Sequence, residues 1–226
     1  MKVGRSLQEV LMELQRQNQA KKDYIAPAQS MRLEKDGRTF QMGEQAPFAT
    51  TQLFHRQLAS TLAIPAKYYD LMQKEKPELL AENVNVWLDT RQSNYMIRSM
   101  DYGAGPVARA LLSERYRRID NMEIASAVLP LFAGNDGYSV ESCEVTENRL
   151  YLKILNKRLE MEVRKGDIVQ AGVIISNSEV GLGAVSVQPL VYRLVCTNGL
   201  IIDDFGERRN HVGRQAKMAE DFTLYS

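Results

Sequence analysis

Apolar residues recur at helical spacing in two parts of the first ninety positions. Ser6 can cap a helix over residues 6–20, in which apolar residues return every three or four positions along one stripe. The opposite face is polar, so we expect an N-terminal helical arm that docks on the body of the protein or on a neighbouring subunit. Three further helical segments follow over residues 50–90, which predicts a helical insertion.

Alternation of apolar and polar residues replaces the helical pattern from Tyr138. It continues to residue 202 and predicts an antiparallel sheet, because successive side chains of a strand point to opposite faces. Asp36-Gly37 between two short apolar runs predicts a hairpin over residues 31–42, since Asp-Gly suits the left-handed positions of a tight turn. The stretch 23–30, which contains a proline, is interpreted as a connection.

The expected fold class is α+β. An antiparallel curved sheet would cover about residues 138–202, with the N-terminal hairpin, and a helical subdomain would cover about residues 50–90. The sequence shows no internal repeat and no low-complexity linker. We therefore expect residues 1–226 to form a single α+β domain, with the arm 6–20 and a basic C-terminal tail over residues 203–226.

Charge and cysteine content narrow the function classes. Twenty-nine Lys and Arg residues against 28 Asp and Glu residues give a net charge of +1, so nucleic-acid binding would require local clustering of basic residues. Cys143 and Cys196 lie in apolar, strand-like sequence and are expected to be free, buried thiols. Apolar runs are too short for a signal peptide or a membrane span, so we expect a cytoplasmic protein with no membrane contact.

Motifs for cofactor and metal chemistry are not found. Neither phosphate-binding glycine pattern occurs, so we expect no cofactor. His55 lies on a predicted helix, where an exposed or structurally bonded imidazole is favoured over a base. Asp203, Asp204 and Glu207 form a carboxylate group, but adjacent aspartates on a strand face opposite ways, so we expect no metal. Metal-dependent cleavage of nucleic acid through these three acids is kept as a further hypothesis, beside the two functions given at the end of this section. The favoured interpretation has no catalytic residue.

The connection at residues 176–183, SNSEVGLG, joins two predicted strands. It combines short hydrogen-bonding side chains with one carboxylate and two glycines, Gly181 and Gly183. Glycine permits either the close approach of a ligand or tight packing at a bulge, and the second interpretation is favoured.

Five blocks follow one another along the chain. They are IPAKYY at 64–69, NVNVW at 83–87, LSERYR at 112–117, SNSEVGLG at 176–183 and YRLVCTNG at 192–199. Together they resemble a family of phage and plasmid proteins catalogued as a domain of unknown function, from about residue 6 to about residue 213. The resemblance implies a setting in mobile genetic elements of a bacterial host cell, and it implies no activity.

Arginine and tyrosine interleave over residues 91–118, where six arginines stand against two acids. Guanidinium groups suit phosphate oxygens and tyrosine rings suit unstacked bases, a combination typical of single-strand binders. Pairing of the same residues with acids on sheet faces fits the pattern equally well. A second basic run covers residues 149–165. The candidate nucleic-acid-binding residues are Arg91, Arg98, Tyr102, Arg109, Arg115, Tyr116, Arg117, Arg118, Lys153, Arg158 and Lys165.

Arg115 and Arg117 are the strongest candidates, because in an extended segment they share one face. We therefore expect a non-enzymatic nucleic-acid-binding protein of a phage or plasmid. The specific activity that we expect is the binding and annealing of single-stranded DNA in recombination. We also expect the protein to form a homo-oligomer. The alternative is a protein-binding module of a mobile element that counters a host defence factor. Its expected binding surfaces are the helix at 6–20 and the loop at 176–183.

Overall fold

The computed structural model describes residues 7–132, 135–165, 167–193, 200–201 and 207–209. The α+β class is confirmed, with five helices and twelve strands among these residues. The chain divides into two compact units. We call Gln19–Tyr116 the continuous unit, and Met1–Asn18 together with Arg117–Ser226 the split unit. The single-domain organisation stays a prediction.

The elements have the following bounds. The helices are α1 Leu7–Ala20, α2 Gln52–Thr61, α3 Ala66–Glu75, α4 Pro77–Thr90 and α5 Asn121–Phe132. Strands β1 to β6 are Lys21–Pro27, Met31–Leu33, Thr39–Met42, Phe48–Thr50, Asn94–Asp101 and Pro106–Ser113. Strands β7 to β12 are Tyr138–Val145, Leu150–Arg164, Asp167–Asn177, Val185–Arg193, Leu200–Ile201 and Glu207–Arg209.

The continuous unit packs three helices on a six-stranded sheet of order β1-β5-β6-β4-β3-β2. The pairing is antiparallel except between β4 and β6. Helices α2 to α4 are the three predicted over residues 50–90. Thr51 begins α2 as a cap, since its Oγ1 accepts the amide of Phe54 at 3.2 Å. Phe54 in turn meets Phe40 of the sheet edge to face, with ring centroids 4.9 Å apart.

The predicted hairpin is confirmed as β2 and β3. Gly37 has the left-handed φ of 65° that the turn requires, and Asp36 Oδ1 accepts the amides of Arg38 and Thr39 at 2.8 Å each. The interpretation of residues 23–30 as a connection is wrong, because β1 pairs along its whole length with β5. A proline is tolerated at the end of such an edge strand.

The split unit contains the predicted sheet, in the order β11-β10-β9-β8-β7 with β12 also paired to β10. Helix α5 begins at Asn121 and buries Ile124 on this sheet together with Val10 and Leu14 of α1. The stripe of α1 is therefore buried in its own chain, and docking on a neighbouring subunit is wrong for Val10 and Leu14. The side chain of Leu7 lies outside the described part.

Several sequence predictions fall on positions that are not described. They concern Cys196, Asp203, Asp204 and the basic tail apart from the backbone of Glu207–Arg209. Cys143 is described, and it is a free thiol with 2% of its surface exposed, as predicted. Burial raises the pKa of this thiol to about 12, so it is protonated at neutral pH.

Candidate nucleic-acid interface

Arg98 is buried in the middle of β5, directly opposite Asp23 on β1. Its Nε donates to Asp23 Oδ1 at 2.9 Å and its Nη2 donates to Oδ2 at 3.1 Å. The two side chains are only 3% and 12% exposed. A bidentate pair at this depth holds the guanidinium away from solvent. The expectation that Arg98 contacts nucleic acid at the surface is therefore corrected, because a cross-strand carboxylate is its partner.

Two further arginines of the stretch 91–118 also serve the fold. Arg109 is the extra residue of a bulge in β6 and is 6% exposed, while its carbonyl accepts the Thr51 hydroxyl at 3.0 Å. Arg91 ends helix α4 and donates to the Thr61 carbonyl at 3.2 Å. Arg109 is thus removed from the candidate surface, and Arg91 is half-buried.

Arg115 is exposed, but it does not lie in an extended segment. Residues Ser113 to Tyr116 form a turn, closed by a hydrogen bond of 2.9 Å from the Tyr116 amide to the Ser113 carbonyl. Ser113 Oγ also accepts the Arg115 amide at 3.2 Å, a local contact that favours the turn. The strand alternation that would place Arg115 and Arg117 on one face is therefore wrong. Tyr102 is 45% exposed in the loop between β5 and β6.

Arg117 is half-buried and Arg118 is exposed, just before the start of α5. The backbone that follows them is held by the β9–β10 loop. Asn177 Nδ2 donates to the Ile119 carbonyl at 3.0 Å and to Asn121 Oδ1 at 2.8 Å. Glu179 accepts the Asn121 amide at 2.8 Å, so a carboxylate meets the positive end of the helix dipole.

The β9–β10 loop is also held in place by one hydrogen bond within the loop and one from Arg149. Ser178 Oγ accepts the Leu182 amide at 3.0 Å, and Arg149 Nη2 donates to the Leu182 carbonyl at 2.5 Å. Gly181 has a left-handed φ of 79°, and a Cβ on Gly183 would lie 3.4 Å from the Arg149 guanidinium. The left-handed backbone of Gly181 requires a glycine, while the choice between tight packing and ligand approach stays a prediction. Sequence reasoning missed the bonding role of Asn177 and Glu179, because their partners at Ile119 and Asn121 are 56 to 58 positions away.

Strand β8 extends beyond its neighbour β7. Pairing with β7 ends at Tyr138 and Asn156, whereas pairing with β9 continues to Arg164 and Asp167. Along this further length the described residues contain no strand paired with the other edge of β8. We call residues 157–165 the β8 extension.

The β8 extension carries exposed basic side chains. Lys157, Arg158 and Lys165 are all exposed, and none of them forms an ion pair within the described ranges. The two acids between them are engaged, since Gln170 Nε2 donates to Glu160 and Glu162 has a partner as well. The predicted candidates Arg158 and Lys165 thus share one exposed segment. Lys153 precedes it and is half-buried in the sheet.

His55 is the central member of a buried polar chain. Thr50 Oγ1 donates to the Arg38 carbonyl at 2.5 Å, so it accepts its second bond, of 2.7 Å, from His55 Nε2. His55 Nδ1 then accepts the Tyr69 hydroxyl at 2.8 Å. Burial lowers the pKa of His55 to about 4 and raises that of Tyr69. The expectation of a structurally bonded imidazole is confirmed, with both nitrogens occupied.

Helices α3 and α4 expose large apolar side chains on their outer faces. Tyr68 and Leu71 of α3 are 46% and 57% exposed. Leu79, Val86 and Trp87 of α4 are 45%, 61% and 47% exposed. Apolar groups of this size on neighbouring helices are a feature of protein-binding surfaces.

The described ranges contain no group of three His, Cys, Asp or Glu side chains arranged to hold a metal ion. Each helix in the described part of the chain is too short or too polar for a membrane span.

Comparison with known proteins identifies one match. Residues 109–215 match a family described as Domain of unknown function (DUF932). Three of the five sequence blocks lie in this span, while the blocks at 64–69 and 83–87 precede it. The resemblance to a domain of unknown function is confirmed for these residues, and the phage or plasmid origin stays a prediction. No curated protein and no solved structure matches the chain.

Proposed function

We propose that this chain binds nucleic acid through phosphate contacts from the β8 extension, with no catalytic step of its own. One observation carries the proposal. Lys157, Arg158 and Lys165 are exposed within the β8 extension, and the acids Glu160 and Glu162 beside them already have partners. Contacts between basic side chains and phosphates provide affinity that is independent of sequence.

The spacing of the basic residues favours a polymer over a single phosphate group. Arg158 and Lys165 are seven positions apart, and the regularly paired strand residues 160–162 between them alone cover about 7 Å. Phosphates follow one another by about 3.4 Å along one strand of a duplex. The basic ends of the extension are therefore farther apart than two neighbouring phosphates. A nucleotide or a free phosphate ion would contact only one end of it.

The specific activity in this proposal is single-stranded DNA binding and annealing in the recombination of a phage or plasmid. The resemblance to phage and plasmid proteins supports the biological setting. Assembly into a homo-oligomer would align several β8 extensions along one strand, so that weak individual contacts add up. Neither a nucleotide nor a metal is needed for such binding.

The test is a fluorescence anisotropy titration of labelled single-stranded DNA at low salt. We expect the parent chain to bind and Arg158→Ala/Lys165→Ala to bind roughly tenfold more weakly, because two phosphate contacts are lost. Lys67→Ala/Lys74→Ala is the matched control, since both lysines are exposed on helix α3. It should bind like the parent. Failure of the parent to bind at low salt, or equal affinity of parent and Arg158→Ala/Lys165→Ala, would contradict the proposal.

A second candidate function is a protein-binding module that counters a host defence factor. The exposed apolar faces of α3 and α4 favour it, whereas the arm expected for that role buries Val10 and Leu14. A pull-down from nuclease-treated bacterial lysate tests this candidate. It predicts a stoichiometric protein partner that Leu71→Ser/Trp87→Ser fails to capture. Capture by this double variant at the level of the parent would exclude the α3–α4 surface.

A further inference from the structure

Two large apolar side chains are exposed within the basic β8 extension. Leu159 is 57% exposed and Met161 is 64% exposed. Regular pairing of β8 with β9 resumes at Glu160, so Met161 lies in the paired part of the strand and Leu159 lies in the irregular part just before it. Lys157 and Arg158 precede this pair and Lys165 follows it. The extension thus places an apolar pair between basic side chains.

The acids of the extension point away from Met161. Glu160 and Glu162 flank Met161 in the regularly paired stretch 160–162, so their side chains lie on the opposite face, and Glu160 is bonded to Gln170 directly across the strand pair. Met161 instead has an apolar neighbour across the pair, Val169. A ligand that contacts Met161 therefore does not have to approach a carboxylate on the same face.

This combination suits a ligand that is anionic and apolar at the same time. The phosphates of a nucleic acid satisfy the basic side chains, and the faces of its bases offer flat apolar surface. The thioether of methionine makes favourable contacts with aromatic rings, and aliphatic side chains insert between bases where these are unstacked. In a regular duplex the base faces are covered by stacking, so they are not available to such side chains.

We infer that Leu159 and Met161 contact unstacked bases, and that the β8 extension consequently prefers single-stranded nucleic acid to duplex. The inference rests on the proposed nucleic-acid binding and adds the part of the ligand that these two residues recognise. Basic side chains hold the phosphate chain, and the apolar pair selects strands whose base faces are accessible.

Anisotropy titrations with three labelled probes of equal length test this inference. The probes are a single-stranded DNA, an abasic chain with the same phosphates, and a duplex. Leu159→Ser/Met161→Ser should bind the single strand roughly tenfold more weakly than the parent and bind the abasic chain equally well. Leu71→Ser/Val86→Ser is the matched control, because its residues are 57% and 61% exposed on α3 and α4. This control should leave all three affinities unchanged.

The outcomes separate this inference from the proposed function. If Leu159→Ser/Met161→Ser binds the single strand as tightly as the parent does, the inference is overturned while nucleic-acid binding stands. It is also overturned if the parent binds duplex as tightly as single strand. If the parent binds none of the probes at low salt, the proposed function fails and the inference fails with it. Unchanged thermal unfolding of the variant would show that weaker binding is not caused by misfolding.

Discussion

The stretch 91–118 and the β8 extension are both rich in basic residues, but the fold uses them differently. Arg98 faces Asp23 inside a six-stranded sheet and is 2% exposed. Arg158 lies on β8 just beyond the end of its pairing with β7, and its side chain is exposed. Both residues belong to strands. The difference teaches that charge density along a sequence does not locate a binding surface, because strand pairing decides which charges reach solvent.

Removal of the Arg98 guanidinium should give the largest effect on stability. Arg98→Ala leaves the Asp23 carboxylate without its bidentate partner, at 12% side-chain exposure. We expect a loss of about 3 to 5 kcal/mol in the free energy of unfolding. Urea unfolding followed by the fluorescence of Trp87, which lies in the same unit, measures it.

An exposed ion pair of the same unit provides the control. Arg32 Nη2 lies 2.6 Å from Asp89 Oδ1, but the two side chains are 41% and 53% exposed. Arg32→Ala should cost about 1 kcal/mol or less, because water solvates the remaining charge. Equal losses for Arg98→Ala and Arg32→Ala would show that burial does not distinguish the two arginines.

The next effect is a pH dependence that originates at His55. Burial lowers its folded-state pKa to about 4, whereas the unfolded chain titrates near 6.5. The fold favours the neutral imidazole, so its stabilising contribution is complete above about pH 6.5 and is lost as the pH falls towards 4. The difference between the two pKa values corresponds to roughly 3 kcal/mol. Urea unfolding at several pH values should show this loss, and His55→Gln should remove it. An equally steep acid loss in His55→Gln would assign the titration to another group.

A smaller effect is expected at Gly172, just before the start of the β8 extension. Gly172 lies opposite Leu155, just before the pairing becomes irregular, and a Cβ there would be 2.4 Å from the Ile154 carbonyl oxygen. Gly172→Ala should therefore push the two strands apart and cost roughly 1 to 3 kcal/mol. Thermal unfolding followed by circular dichroism measures it. Gly183→Ala is the control, since its nearest neighbour is the flexible end of Arg149. Equal stability of the two variants would refute the steric argument.

Features set by neighbouring residues were predicted from the sequence. The Asp36-Gly37 hairpin was predicted because its turn is stabilised locally: Asp36 Oδ1 accepts hydrogen bonds from the amides two and three positions further along the chain. The α+β class followed from the change between helical spacing and alternation.

Features set by distant residues were not predicted. Arg98 meets Asp23 from 75 positions away, and Glu179 caps α5 from 58 positions away. No local pattern shows which carboxylate will face an arginine or an amide. The turn at Arg115 combines the backbone bond from Tyr116 to Ser113 with a side-chain contact from Ser113, and neither is visible in the alternation of arginine and tyrosine. Strand register determines which basic residues are exposed, and register becomes visible only when the sheet is assembled.

The salt dependence of single-strand binding tests the central claim most directly. The slope of log affinity against log salt concentration changes by about 0.7 for each phosphate contact with a single strand. Lys157→Ala/Arg158→Ala/Lys165→Ala should therefore give a slope shallower than that of the parent by about 2, three contacts being lost. Arg91→Ala/Arg115→Ala, taken from the other basic stretch, should keep the parent slope. A parental slope in the triple variant, or a shallower slope only in Arg91→Ala/Arg115→Ala, would contradict phosphate binding by the β8 extension.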